Sequence, residues 1–166
     1  YKELTPDVGR AGWSAACLDE DQNCVMAACG NVTSLLPQTS QSAEHMGRLQ
    51  ALAFVGGPAT MVGDCENVVK AHGNGEIRPE KSIYAGVVQA AKLHCNAHWV
   101  RGEQKVKAHQ TLQADMDEDV KAAIIANDMA DAGAKWAVQK AIDAIPRAAI
   151  EYANFVHNDS ARAAKL

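Results

Sequence analysis

Two stretches of this chain carry residue types that do chemistry. One is Val106-Lys107-Ala108-His109-Gln110, a short run closed by a histidine; the other is Ala126-Asn127-Asp128-Met129-Ala130-Asp131. An acidic segment, residues 115–119, lies between them and reads as an exposed, solvated loop. Asn127 reads as the start of a helix reaching about residue 144. Asp128 and Asp131, three residues apart, then share one face of its first turn. An imidazole can move protons near neutral pH, and converging carboxylates can hold a hard divalent cation. The pattern gains meaning only if further carboxylates reach the same place.

The elements that must position these groups follow from periodicity and turn chemistry. Residues 12–18 read as a strand, Asp19 to Asn23 as a turn, and residues 24–29 as the returning strand of a hairpin ended by Gly30. Thr39 or Ser42 caps a helix to about Phe54, with Ala43, Met46, Leu49, Leu52 and Ala53 at helical spacing. Residues 59–63 form a short apolar strand ending at Asp64, and residues 66–71 a short helix before a loop at His72. Pro79 opens a helix to about Cys95. Another strand lies between His98 and Ala108, bulged at Arg101-Gly102. Pro146 separates the helix that begins at Asn127 from a last one over residues 147–164.

That order implies an α/β fold, a mixed sheet with helices on its faces. In such sheets sites gather beyond the strand C-termini, where Asp64 and His109 both fall. Residues 1–145 read as one domain and residues 146–166 as a C-terminal helical extension.

Composition bounds the function. The 166 residues are 48% hydrophobic and 22% charged, which is globular, and the net charge is -4. Lys and Arg are scattered, with a loose group at Arg101, Lys105 and Lys107, so avid nucleic-acid binding by the chain alone is disfavoured. No apolar run reaches the ~20 residues of a membrane helix, and no signal peptide is recognisable, so no membrane insertion is expected. Five cysteines without a CxxC pair read as buried reduced thiols, which points to an intracellular compartment. A start at Tyr1 reads as a processed product or an excised part. His94 and His98 lack a third partner for a transition metal. Trp13, Trp99 and Trp136 are too dispersed for a base-stacking platform and read as core.

Five stretches resemble, in order, the ribonuclease H superfamily, above all domains carried by non-LTR retrotransposons. They are Gly12-Trp13-Ser14-Ala15-Ala16, Pro37-Gln38-Thr39 leading to Ala43-Glu44, Val62-Gly63-Asp64-Cys65, residues 106–110, and residues 127–131 continuing Ala132-Gly133-Ala134-Lys135. The resemblance implies a five-stranded mixed sheet and four carboxylates holding two Mg²⁺ or Mn²⁺ ions. Glu44, Asp64 and Asp131 would be three ligands, and His109 the histidine that assists proton transfer or product release. Two ions ~4 Å apart suit in-line displacement at a phosphodiester. By residue type alone, Glu44 reads equally as a solvated acid near a helix start and Asp64 as a helix cap. Asp131 reads as an exposed first-turn acid and His109 as a structural histidine.

The family's first-strand Thr-Asp-Gly-Ser-like motif is missing. Only Asp7, behind Pro6, stands near its place as a fourth ligand, and Pro6 suits a central strand poorly. Two functions are therefore expected. One is a metal-dependent endonuclease cleaving the RNA strand of RNA·DNA hybrids. The other is a catalytically inactive, retroelement-derived domain reused as a structural or interaction subunit among the proteins of a larger complex.

Overall fold

The computed structural model describes residues 10–73, 82–94 and 97–163. Asp7 and Pro79 lie outside the described residues. The elements are β1 (Gly12–Leu18), β2 (Cys24–Asn31), α1 (Ser40–Phe54), β3 (Ala59–Gly63), α2 (Glu66–Gly73), α3 (Ala85–His94), β4 (Val100–Lys105), α4 (Glu118–Asp143) and α5 (Arg147–Ala163). Their order is the expected one; the sheet is not.

The described strands form two separate two-stranded sheets, β1 antiparallel to β2 and β3 parallel to β4. This corrects the expected five-stranded ribonuclease H-like sheet. The physical reason lies in the ladders. In β1, Ala11 O accepts from Val32 N at 2.8 Å, so alternate residues Trp13, Ala15 and Cys17 exchange bonds with β2 in the observed register. The backbone groups of Gly12, Ser14 and Ala16 then point away from β2. No strand among the described residues meets them, nor the free edge of β3, so nothing joins the two pairs.

The parallel pair is connected through α2 and α3, as parallel strands require. Its ladder slips between the pairs Ala59–Val100 and Thr60–Gly102. Arg101 is thus the extra residue of a bulge, where the sequence places one.

Thr39 caps α1, its hydroxyl accepting from Ser42 N at 3.2 Å. The start of α4 is a second correction. Asp117 is its N-cap and accepts from Asp119 N at 2.9 Å, so the helix opens well before Asn127. The acidic stretch is a helix start: Glu118 and Asp119 lie where the macrodipole favours anions. Asp128 and Asp131 therefore sit mid-helix rather than in a first turn. His72, expected in a loop, ends α2.

Two helices grip β1 through glycine. A Cβ on Gly47 of α1 would stand 2.8 Å from the Ser14 carbonyl oxygen. One on Gly133 of α4 would meet Ser14 Oγ and stand 3.0 Å from its Cβ. One on Gly12 would strike the Ala134 carbonyl and stand 2.7 Å from Val138 Cγ2. Ser14 Oγ donates to Ala28 O at 3.1 Å, which ties this contact to β2.

Beside α1 a polar network joins α2 to the residues before α3. His45 Nδ1 lies 3.3 Å from His72 Nε2, and the His45 ring stacks on Tyr84 at 4.4 Å. Ser42 Oγ donates to Tyr84 Oη at 3.4 Å. Burial holds the His45 imidazole down at about 4. Burial, with Arg48, His45 and Lys92 nearby, holds His72 at about 3.

Two expectations about single side chains fail. Trp99 and Trp136 are exposed, and Trp136 packs under Lys140 Nζ, 5.7 Å from its ring centre. Cys24 is exposed, and Cys17, Cys29 and Cys65 are free thiols in half-buried positions.

Replacing Gly12 by Ala should lower the unfolding free energy by about 1–3 kcal/mol through overpacking against α4. A urea titration would show it as a lower midpoint at unchanged slope. Gly56→Ala, where an added Cβ meets nothing within 4 Å, should change the unfolding free energy by less than about 0.5 kcal/mol.

Candidate functional site

Glu44 lies on α1 three residues before Gly47, Asp131 lies on α4 two before Gly133, and both helices close on Ser14. Asp64 follows the last residue of β3, at the C-terminal end of the parallel pair. All three line one cavity of about 550 Å³ walled by α1, α4, β1 and β3.

The α4 wall is a helical stripe, Ala122, Ala123, Ala126 and Ala130, with Asn127 and Asp131 as its polar members. Small side chains leave the space open; larger ones at this spacing would fill it.

Electrostatics supports the convergence. Burial, and then the charges of Asp64 and Asp131, raise the Glu44 carboxyl to about 7. A carboxylic acid held there exchanges its proton near neutrality. Asp131 Oδ2 is 2.6 Å from Lys135 Nζ, one helical turn on, and 3.8 Å from His109 Nδ1.

His109 is 73% exposed and has φ of 53°. A non-glycine residue in the left-handed region is uncommon, although histidine tolerates it better than most. Such strain gathers where surrounding structure enforces a useful orientation. Here it places the imidazole against Asp131.

Three of the five expected site residues, Glu44, Asp64 and Asp131, line this cavity, and His109, outside its lining, stands 3.8 Å from Asp131. Asp7 lies outside the described residues. Asp128 is not among the cavity-lining residues.

The sequence reading missed Arg48 and Glu103. They form an ion pair between α1 and β4, largely withdrawn from water, on the wall of the same cavity. Burial lowers Arg48 to about 10, which leaves it protonated at neutral pH. Its signal was faint: Arg48 lies four residues after Glu44 and so shares its helical face, but Glu103 had no visible partner.

As a donor set for a metal, Glu44, Asp64 and Asp131 offer hard oxygens of the kind Mg²⁺ and Mn²⁺ take. Among the described residues no group of three or more such side chains stands close enough to enclose an ion as it is. The set suits such an ion in chemistry, and ligation would require the carboxylates to draw inward.

No family model matches this chain, and no curated protein matches it either.

Glu44 makes stability depend on pH in a definite direction. Below about 4.5 it is protonated folded and unfolded, so it contributes no difference. Between about 4.5 and 7 the unfolded chain releases the proton while the folded one retains it, so stability falls as pH rises. Above that window the full cost, on the order of 2–3 kcal/mol, remains. Glu44→Gln should flatten this slope and be the more stable protein at pH 8 in chelator, read by urea unfolding at pH 4 and pH 8.

Proposed function

We propose that this protein is a metal-dependent phosphodiester hydrolase that cleaves the RNA strand of RNA·DNA hybrids. One observation carries the reading. Three carboxylates from α1, the end of β3 and α4 line one cavity, where burial first, and then the charges of Asp64 and Asp131, raise Glu44 to about 7. Unrelieved negative charge of this kind is a cost, and a bound cation offsets it. The motif resemblance to retroelement ribonuclease H domains names the same residues.

Glu44, Asp64 and Asp131 would hold Mg²⁺ or Mn²⁺. Such ions supply an activated water and stabilise the leaving 3′ oxygen. The residues do the rest. Glu44, half-protonated near neutral pH, becomes fully ionised as it ligates, so binding releases a proton. Lys135 leaves Asp131 Oδ2 to make room. His109, exposed at the rim and hydrogen-bonding distance plus a small shift from Asp131, can carry a proton between the site and solvent. Its exposure leaves it free to meet substrate and then withdraw.

A second reading rests on two sheet edges that no strand among the described residues pairs. Gly12, Ser14 and Ala16 on β1 and the free edge of β3 border the same cavity. Unpaired ladder groups of this kind accept an extended segment from another chain. This favours a retroelement-derived domain kept as an interaction subunit. No helix among the described residues is long and apolar enough to cross a membrane.

Hydrolysis of a labelled RNA·DNA hybrid with Mg²⁺ or Mn²⁺ separates the readings. Cleavage should need the metal, and Asp64→Asn should lower the rate by at least about 100-fold, the scale of losing one electrostatic contact to the transition state. Absence of cleavage by folded wild-type protein would remove the nuclease reading and leave the interaction subunit.

A further inference from the structure

A second cavity, of about 280 Å³, lies on the other side of the Arg48–Glu103 pair. Arg48 reaches it from α1, His72 from the end of α2, Lys92 from α3, and Arg101 and Glu103 from β4. Three full positive charges thus border a space with one carboxylate. His72 records their closeness, since Arg48 and Lys92 are among the causes that keep it neutral.

We infer that this cavity is a binding site for a phosphate group. Three independent features support the assignment. First, the Arg48 side chain is only 8% exposed, and its buried Nε–H has no hydrogen-bond partner among the described residues, because Glu103 takes Nη2 alone. A buried donor left unmade is costly, and an oxyanion against the guanidinium would satisfy it. Second, the bulge at Arg101 breaks the alternation of β4. Four consecutive residues, Val100, Arg101, Gly102 and Glu103, line this space, and the ladder slips at Arg101. Bulges re-aim side chains in this way. Third, the cations come from three elements and therefore from different directions. A planar carboxylate is satisfied by one guanidinium, whereas a tetrahedral oxyanion presents oxygens to several donors at once. The volume holds several waters at about 30 Å³ each, so a five-atom phosphate group fits.

The site rests on these cations and not on hydrolysis at the carboxylate cavity. Its phosphate can be free or terminal, or the diester of a nucleic-acid chain. Both bring the same oxygens.

The test is an amide chemical-shift titration at constant ionic strength, made up with NaCl. Inorganic phosphate and a dinucleoside monophosphate, which carries only a diester, are the two ligands. Lys92 and Arg101 are exposed, so Lys92→Ala with Arg101→Gln leaves the fold intact; unchanged shifts elsewhere in the spectrum would verify this. Saturable shifts at Leu52, Ala91 and Gly102 are expected in the wild type. The double variant should bind at least about tenfold more weakly, as loss of charge-assisted hydrogen bonds requires. A response to inorganic phosphate alone would assign a free or terminal phosphate. A response to the dinucleotide as well would assign a backbone phosphate. No saturable response to either ligand, or one unchanged in the double variant, would overturn the site.

Discussion

Ser14 is the point on which the arrangement turns. Its backbone carbonyl leaves room in α1 only for the glycine at 47, and its side chain leaves room in α4 only for the glycine at 133. Interiors pack densely enough that one added carbon at such a contact is felt. Both helices therefore approach the same strand residue as closely as backbone permits. The cavity thus gathers three carboxylates, of which Asp131 is paired with Lys135.

Two opposite electrostatic situations meet along one face of α1. Towards α4 and β3 the helix presents Glu44 to two other acids, and the carboxyl responds by keeping its proton to about 7. Towards α3 and β4 it presents Arg48, whose single carboxylate partner is outnumbered by cations. Glu44 and Arg48 are four residues apart, so one helical turn links an excess of negative charge to an excess of positive charge. The histidine pair beside them stays neutral, since burial penalises its charged form. Neutral imidazoles there avoid adding to the positive excess.

The divided sheet follows from where hydrogen bonds can be made. β1 satisfies every second residue against β2, and β3 satisfies one edge against β4. The remaining edges face a cavity walled by small side chains. Alanines on α4 line that cavity, and among the described residues no strand joins the two pairs. The same openness gives solvent and ligands access to the carboxylates, which places the cavity and the unpaired edges in one physical account.

Much of the local structure was legible in the residues themselves. The hairpin is set by the alternation in residues 12–18 and the turn at Asp19 to Asn23. Thr39 announces the start of α1, Gly56-Gly57-Pro58 its stop, and Arg101-Gly102 the bulge. These signals are local because they rest on capping, turn chemistry and side-chain spacing. The start of α4 was misread, because Asp117 as a cap and a solvated acid in a loop have the same composition; only the hydrogen bond to Asp119 N separates them. The resemblance named Glu44, Asp64, Asp131 and His109 one by one, but nothing in their spacing said that they meet. Tertiary structure alone decided three matters: that the carboxylates share a cavity, that Arg48 finds Glu103 fifty-five residues away, and that the strands form two pairs. Each depends on how closely helices approach β1, and that distance is set by side chains far apart in the chain.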